Sequence, residues 1–372
     1  MKIAIDATRA VTERAGIGRI TYQLIENLLK TDHKNQYLLF FSYFRKSLEK
    51  EKLIQKFKKP NVEIKTYRIP GALKEKIWAW KIPWFNRTLG KSEVLLAPSF
   101  LEVNLGVKIP QVVIIYDMTT FLFPDQRGQA VSERLSKRTK IACKKAEKII
   151  AISEATKRDV LNILKIPSSK VVVTYPGLTR LPEPAKKLPQ GLKEKSYILF
   201  VGTIEPRKNL IGLFRAYAML SAQLQEKFPL VVVGAQGWNT GETYQVLRKE
   251  NLKDKVIFLG YQDDNMLAKL YREAAVFVYP SLYEGFGIPI IEAMSFGTPV
   301  ITSNVSSMPE AAGKAALLID PTEPKSISSA LQRVLEGEFK VSNTQLKAQA
   351  NKFSWEKAAK EVLRALEEAA NG

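Results

Sequence analysis

Two carboxylates flank a glycine-containing turn in the second half of the chain. Glu284 and Glu292 lie on either side of the Gly285–Gly287 turn and Pro289. Glycines let a ligand approach the main chain closely, and a proline suits the first turn of a helix. The free N–H groups at a helix start attract anions and hydroxyl oxygens. The pattern predicts a receptor for such a ligand, and the alternative is a capped helix with Glu292 as a stabilising charge in its first turn.

Two adjacent cations could hold a diphosphate. Arg207 and Lys208 follow Pro206, after a strand-like run at residues 197–202, and precede a helix that we predict to begin near Asn209. Cationic side chains beside the N–H groups of a helix start suit a phosphorylated ligand. The alternative is a surface turn whose charges are solvated.

The elements that must position these residues alternate between strand-like and helix-like stretches. Runs rich in Val, Ile and Leu predict strands at 2–7, 37–41, 93–99, 111–117, 148–153 and 170–175, and again at 197–202, 230–235, 256–260, 276–281, 299–303 and 316–320. Helix-like segments lie between them, for example at 18–30, 132–148, 210–220 and 265–274. This alternation is typical of parallel sheets covered by helices.

A segment rich in Pro, Gly and Lys divides the chain. We predict an N-terminal Rossmann-like domain over residues 1–178, a linker over 179–195, a second doubly wound α/β domain over 196–352 and a C-terminal helix over 353–372. Ser354 is the expected N-cap of that helix. Ligands of open α/β sheets bind at the carboxyl ends of the strands, so two such domains would face each other across a binding cleft.

Several classes of protein are disfavoured by composition. No run of 18 apolar residues predicts a membrane span, and the N-terminus lacks the apolar core of a signal peptide. The single cysteine, Cys143, predicts a small core residue, and the single histidine, His33, lies in a polar loop. One residue of each type gives no basis for a zinc site or a Ser–His–Asp triad.

Two other phosphate-binding patterns are incomplete. Gly16 and Gly18 enter a predicted helix, but a third glycine is missing and about ten residues separate them from their strand, unlike a dinucleotide fingerprint. We expect a flexible loop with free N–H groups there. The chain has no Gly-x-x-x-x-Gly-Lys-Ser/Thr and no Asp-x-Asp motif, so neither a P-loop nor a divalent metal is predicted.

The net charge of +20 lies entirely in the first half. Residues 1–200 contain 38 basic and 18 acidic residues (38 − 18 = +20), and the remainder contains 19 of each (19 − 19 = 0). This asymmetry predicts an anionic partner: lipid, nucleic acid or a phosphorylated substrate. Residues 44–59, with Phe44, Leu48, Ile54 and Phe57, and the tryptophan-containing segment 74–87 suit a membrane interface, although packing in a core competes for the latter.

The ordered motifs resemble retaining glycosyltransferases of family 4, which have the GT-B fold. The resemblance is carried by "EGFGIPIIE", "GIGRITYQLIENL", "IIYDMTTFLFP", "KIIAISEATKRDV" and "VGTIEPRKNL", and it covers essentially the full length. It implies an α/β protein of two Rossmann-like doubly wound domains across a cleft. It also implies that the C-terminal helix around Trp355 crosses back to the first domain.

The resemblance assigns roles to individual residues. It implies that Glu284 lies beside the hydroxyls of the donor sugar, with amides of the Gly285–Phe286–Gly287 turn, and that Glu292 accepts from the ribose. Arg207 and Lys208 would hold the diphosphate, with backbone near Gly16 and Gly18 on its other side. Asp117 would lie by the sugar and the acceptor. The chain departs from the family at Tyr116, where a histidine is usual; a tyrosine still forms hydrogen bonds but is not a cation at neutral pH.

The implied activity is transfer of a hexose, most like mannose from GDP-mannose, with retention and without metal or other cofactor. Another nucleoside-diphosphate sugar remains an alternative donor. The implied partners are the nucleotide sugar and a glycan or lipid-linked anionic acceptor, with no nucleic acid. The expected location is cytoplasmic, with peripheral contact at the inner face of the membrane as a hypothesis. A sugar-nucleotide epimerase of the same fold and a basic nucleic-acid-binding protein are the competing interpretations.

Overall fold

The computed structural model describes residues 1–13, 16–45, 47–69, 73 and 84–372. Contacts between Cα atoms divide the chain into two compact units. The first comprises Met1–Pro124, Gln129–Gly177 and Ser354–Gly372, and the second comprises Asp125–Gly128 and Leu178–Phe353. Each unit is built on its own parallel sheet.

The sheet of the first unit contains, within the described residues, seven parallel strands in the order β3-β2-β1-β4-β5-β6-β7. Its strands are β1 (Lys2–Asp6), β2 (Gln36–Ser42), β3 (Val62–Tyr67), β4 (Val94–Ala97), β5 (Gln111–Ile115), β6 (Lys148–Ala151) and β7 (Val171–Val173). In the centre, Ala4 of β1 is in register with Leu38 of β2 and Leu95 of β4. The central strands are buried on both faces, which explains their nearly continuous apolar sequences.

Helices cover both faces of this sheet. They are α1 (Thr8–Thr12), α2 (Ile17–Thr31), α3 (Leu48–Lys56), α4 (Trp84–Leu89), α5 (Thr119–Leu122), α6 (Gln129–Lys145), α7 (Glu154–Leu164) and, from the end of the chain, α16 (Trp355–Asn371). Cys143 of α6 is fully buried in the core, as predicted, and burial raises the pKa of its thiol to about 12. His33 is exposed, as predicted.

The second unit repeats the architecture with six described parallel strands in the order β10-β9-β8-β11-β12-β13. Its strands are β8 (Ile198–Val201), β9 (Leu230–Val233), β10 (Val256–Gly260), β11 (Val276–Tyr279), β12 (Val300–Ser303) and β13 (Leu317–Ile319). Its helices are α8 (Leu210–Ala218), α9 (Ala222–Lys227), α10 (Gly241–Lys249), α11 (Asp264–Glu273), α12 (Ile288–Ser295), α13 (Met308–Ala312), α14 (Pro324–Leu335) and α15 (Asn343–Ala350). Two Rossmann-like domains of this kind constitute the GT-B fold.

All twelve predicted strands are present, and among the described residues the sequence missed one, β3. β3 lies at the edge of its sheet and its residues are at most half-buried, so its sequence lacks a continuous apolar run. Residues 179–195 contain no helix or strand, and they pack on the second unit. There the amide of Ala185 donates to the carbonyl of Asn265, at 3.0 Å.

The prediction of a membrane face at residues 44–59 is wrong for two of its four apolar side chains. Ile54 and Phe57 are 6% and 1% exposed, and the ring of Phe57 packs 5.0 Å from that of Tyr22. Only Phe44 and Leu48 are exposed. In the segment 74–87, residues 74–83 and the side chains of Trp84 and Phe85 lie outside the described residues. No helix in the described ranges has the length and apolarity needed to cross a membrane.

The C-terminal helix α16 is part of the first unit. Ser354 caps it by accepting from the amide of Lys357, as predicted. The helix packs against α2 and strands β4 to β6 through its buried face, which consists of Trp355, Ala358, Ala359, Val362, Ala365, Leu366 and Ala369. Gly177 makes this packing possible, because a Cβ there would lie 2.1 Å from the backbone nitrogen of Trp355 and 2.5 Å from its Cγ.

We therefore predict that Gly177→Ala lowers the free energy of unfolding by about 1–3 kcal/mol or more, since the added methyl group must displace the backbone of α16. Gly241→Ala is the matched control: its Cβ would have no neighbour within 4 Å, at the first position of a helix. Urea denaturation of both variants measures the difference. Equal stabilities would show that the contact at Gly177 does not constrain α16.

Candidate functional site

The residues predicted to bind a phosphorylated ligand meet at the carboxyl edge of the second sheet. Arg207 and Lys208 form a 3-10 turn with Pro206 just after β8, and Glu284 follows the neighbouring strand β11. Asn209 begins α8 by accepting from the amide of Gly212. As predicted, the cations directly precede a helix.

Hydrogen bonds to main-chain carbonyls hold these loops together. The side-chain amide of Asn209 donates to the carbonyls of Pro280, at 3.1 Å, and Pro321, at 2.6 Å. The amide of Leu282 donates to the carbonyl of Arg207 at 2.8 Å. The loops that follow β8, β11 and β13 are thus tied to one another independently of the charged side chains.

Glu284 is the centre of a buried ionic cluster. One carboxylate oxygen, Oε2, accepts from Arg207 Nη1 at 2.8 Å. The other, Oε1, accepts from Lys208 Nζ at 2.5 Å and from the hydroxyl of Tyr279 at 3.0 Å. Lys208 Nζ also donates to the Tyr279 oxygen at 2.6 Å, and Arg207 Nε pairs with Glu205 at 2.6 Å. The interpretation of Arg207 and Lys208 as solvated surface charges is therefore wrong.

The cluster determines the charge of its members. Burial by itself would raise the pKa of Glu284, but the positive charges of Arg207 and Lys208 outweigh it and lower the pKa to about 2. The pKa of Tyr279 is raised well above its usual value, chiefly by burial and to a smaller extent by the negative charge of the nearby Glu284 carboxylate. The carboxylate is thus ionised and the phenol protonated near neutral pH, which agrees with the direction of their hydrogen bond.

The turn after Glu284 is shaped by Gly287, which has a φ of 100° and precedes α12. Pro289 is the second residue of α12, in the first turn as predicted. Phe286 does not present its ring to a ligand, because the ring is 2% exposed and packs edge-on against Phe353 at 4.9 Å. The hydroxyls of Ser306 and Ser307 donate to the carbonyl of Glu284 and so fix the turn.

Glu292 is buried within α12. It is the fifth helical residue, so the interpretation of Glu292 as a stabilising charge in the first turn is wrong. The hydroxyl of Tyr271 donates to its carboxylate at 3.1 Å. A buried carboxylate that shares a helix with the Gly287 turn is suited to accept hydrogen bonds from a hydroxylated ligand.

The remaining candidates belong to the first unit. Asp117 follows β5 and accepts from the amide of Thr119 at 2.9 Å. Burial raises the pKa of the neighbouring Tyr116, so its phenol is neutral near pH 7. Gly16 precedes α2, and Gly18 lies inside its first turn rather than in the flexible loop that the sequence predicts. A Cβ on Gly18 would lie 2.1 Å from the carbonyl oxygen of Glu13, so close backbone packing requires this glycine.

Two members of the cluster were missed from the sequence, Glu205 and Tyr279. Glu205 is 3% exposed and pairs with Arg207, two residues away. Its position in the loop after β8, next to the two cations, was the signal that could have identified it. Tyr279 ends β11 as an apparent apolar strand residue, and its partner Lys208 lies 71 positions earlier. Only the pairing of β8 with β11 reveals that contact.

We predict that the contribution of Glu284 to stability disappears between about pH 4.5 and pH 2. The ordinary pKa of the group is 4.5 and its folded value is about 2, so ionised Glu284 stabilises the fold fully above the first value and progressively less as the pH falls to the second. The shift corresponds to about 3 kcal/mol. Chemical denaturation should show the stability difference between wild type and Glu284→Gln shrinking over this range.

Glu226→Gln, at an exposed position, is the control for loss of one carboxyl group outside the cluster. A wild-type advantage over Glu284→Gln that is the same at both ends of the range would contradict the prediction.

Comparison with known proteins places the chain. The family described as glycosyl transferases group 1 matches residues 184–367. The chain is 33% identical to the O-antigen chain mannosyltransferase B of Escherichia coli, over 68% of this chain and 69% of that protein. It is 30% identical to the O-antigen chain mannosyltransferase RfbU of Salmonella typhimurium, over 60% of each.

A solved structure supports the fold. Anabaena HepE in complex with UDP and glucose matches 99% of this chain and 100% of its own, with a TM-score of 0.74 and 17% identity. Because the two sequences are only 17% identical, this structural likeness establishes the GT-B architecture alone. The E. coli relative, together with the family match over the residues that form the ionic cluster, shows that the chain belongs to the group 1 family of glycosyl transferases.

Proposed function

We propose that this protein transfers mannose from GDP-mannose to a glycan or lipid-linked acceptor during synthesis of a cell-surface polysaccharide. The observation that carries glycosyl transfer is the buried cluster of Glu284, Arg207 and Lys208 at the carboxyl edge of the second sheet. The choice of mannose is supported by two relatives named as O-antigen mannosyltransferases. Other nucleoside-diphosphate hexoses are the alternative donors.

In the proposed reaction, Arg207 and Lys208 offset the negative charge that develops on the leaving diphosphate. The four charged side chains of the cluster sum to zero if all are ionised (two carboxylates, two cations), so an incoming diphosphate competes with Glu284 for the cations. Of the two cations, Arg207 can reorient toward the ligand more easily, because 17% of its side chain is exposed, compared with 8% for Lys208. Lys208 then serves chiefly to hold Glu284 in place.

Glu284 would bind hydroxyls of the sugar, and Glu292 those of the ribose. The turn of Gly285, Phe286 and Gly287 would contribute backbone groups to the site. Phe286 would take part through its backbone alone, because its ring is buried. In the first unit, Gly16 and Gly18 would approach the diphosphate, and Tyr116 and Asp117 the sugar and acceptor. These assignments follow the family resemblance.

We propose retention of the anomeric configuration by attack on the face from which the diphosphate leaves. The acceptor oxygen forms a bond to the anomeric carbon as the bond to the diphosphate oxygen breaks, and the acceptor proton passes to the released diphosphate. The cluster offers no second carboxylate free for a double displacement, because Glu205 and Glu284 both pair with Arg207. No divalent metal is required in this scheme; NMR of the product anomer tests the stereochemistry.

Donor binding is tested by the shift in melting temperature with GDP, UDP and their sugars. We expect GDP-mannose to stabilise wild type and to lose this effect in Lys208→Ala and Glu292→Ala, because both side chains belong to the donor site. Lys269→Ala is the matched control, since Lys269 is a buried lysine paired with Glu194 and Glu273 outside the site. Absence of a shift with every nucleotide sugar would refute the proposal, and turnover of the donor without an acceptor would instead indicate an epimerase.

Tyr279→Phe tests whether the phenol positions Glu284. The variant loses the hydrogen bonds to Lys208 and Glu284, and we expect kcat/KM to fall by about fivefold to tenfold, from about 1 kcal/mol. Tyr197→Phe is the control, because this tyrosine is equally buried in the same unit and donates to the carbonyl of Leu270. If both variants retain equal kcat/KM, Tyr279 serves the fold and not the site.

The basic first half is consistent with an anionic acceptor, such as a lipid-linked diphosphate glycan at the cytoplasmic face of a membrane. The formal charge of +20 over residues 1–200 supports such a partner. This acceptor class is part of the proposal. Incorporation of labelled mannose into lipid-linked rather than soluble acceptors tests it.

A further inference from the structure

The helix α6 has an unusual surplus of positive charge. Between Gln129 and Lys145 it contains six basic residues and one acidic residue, Glu133 (6 − 1 = +5). Five of the six are exposed: Arg134, Lys137, Lys140, Lys144 and Lys145. None of these five forms an ion pair with any part of the chain that the structure describes. Within the part of the chain that the structure describes, the charge of α6 is therefore not neutralised by ion pairs.

Apolar side chains are exposed among these cations. Ile141 is 40% exposed, with Lys137 four residues before it and Lys144 and Lys145 three and four residues after it. Residues at these spacings are neighbours on one side of a helix. Val131, near the start of α6, is 41% exposed. The outer face of α6 thus surrounds an apolar side chain with cations, while its opposite face packs Ala142 and Cys143 into the core.

We propose that this outer face of α6 binds the surface of an anionic lipid bilayer. Cations near such a surface are attracted to its charge, and an exposed isoleucine among them can enter the boundary between head groups and acyl chains. A nucleic acid would pair with the lysines but would offer the isoleucine no apolar environment. The inference deepens the proposed function, because it supplies the surface on which a lipid-linked acceptor would be met.

The structure favours α6 over the segment at residues 44–59. Helix α3 in that segment has three lysines and two glutamates (3 − 2 = +1). Two of the segment's apolar residues, Ile54 and Phe57, belong to the core. The segment as a whole has the same net charge as α6 (7 − 2 = +5). However, the ammonium groups of Lys50 and Lys59 donate to backbone carbonyls of the chain, and fewer of its apolar side chains are exposed than the sequence suggests.

The test compares two matched charge variants of the full-length protein. One replaces Arg134, Lys137, Lys144 and Lys145 by Gln, which leaves Lys140, whose ammonium lies over the ring of Phe121, in place. The other replaces the exposed Arg45, Lys52, Lys56 and Lys58 by Gln. Each variant loses one Arg and three Lys and lowers the formal charge from +20 to +16 (20 − 4).

Binding is measured by co-sedimentation with phosphatidylethanolamine vesicles that contain phosphatidylglycerol, with phosphatidylcholine vesicles for comparison. Neither donor nor acceptor is present, so failure here is distinct from failure of the proposed activity. At an ionic strength of about 10 mM, where screening is weak, we expect the α6 variant to bind at least about 100-fold more weakly than wild type. The variant at residues 45–58 should change far less. Ile141→Gln should lower binding about tenfold, even in high salt, because apolar burial is not screened.

Three outcomes would overturn the proposal. The first is that wild type does not bind the anionic vesicles at all, and the second is that the two charge variants lose binding equally, which would indicate diffuse attraction. The third is that the α6 variant loses binding to a DNA or RNA duplex and keeps binding to vesicles, which would assign the face to nucleic acid. Unchanged circular dichroism and melting temperature would show that both variants are folded.

Discussion

A single buried carboxylate shared by two cations constrains the geometry of the second unit's binding edge. Glu284 comes from the loop after β11, and Arg207 and Lys208 come from the loop after β8, so their ion pairs join two loops that neighbouring strands deliver side by side. Burying a charge costs several kcal/mol unless partners compensate it. Each of these three charges can be buried at low cost only while its oppositely charged partners are in place.

Uncharged side chains that donate to main-chain carbonyls carry part of the same constraint. Asn209 ties the loop after β8 to carbonyls after β11 and β13, and Ser306 and Ser307 hold the carbonyl of Glu284. The charged groups are therefore held in position before any ligand arrives. Fixed dipoles and charges of this kind stabilise developing charge without the reorganisation that water would need. Rigidity at this edge is thus a property of the fold and not of one side chain.

The sequence was most informative where apolar runs and turn residues repeat with regular spacing. It located the buried strands and the motifs at their ends, because a strand covered on both faces leaves a continuous apolar run. It missed β3, whose edge position leaves its side chains partly exposed. It also misassigned Ile54 and Phe57, because an amphipathic pattern does not specify whether its apolar side meets a core or a membrane.

Contacts between distant residues were beyond sequence reasoning. The sequence identifies Arg207, Lys208 and Glu284 individually as ligand contacts, but it indicates neither their pairing with one another nor the part that Glu205 and Tyr279 play in the cluster. Lys208 and Tyr279 are 71 positions apart, and spacing along the chain gives no register between β8 and β11. The sequence thus predicted which residues are chemically important and not how they neutralise one another.

The division of the chain also has a consequence for the order in which the protein folds during synthesis. The second unit is almost continuous, from Leu178 to Phe353, whereas the first unit needs residues 354–372 to cover its core. The ribosome therefore delivers everything the second unit requires before it delivers α16. The first unit, although begun first, is completed last, and until then the surface that α16 covers stays accessible to chaperones.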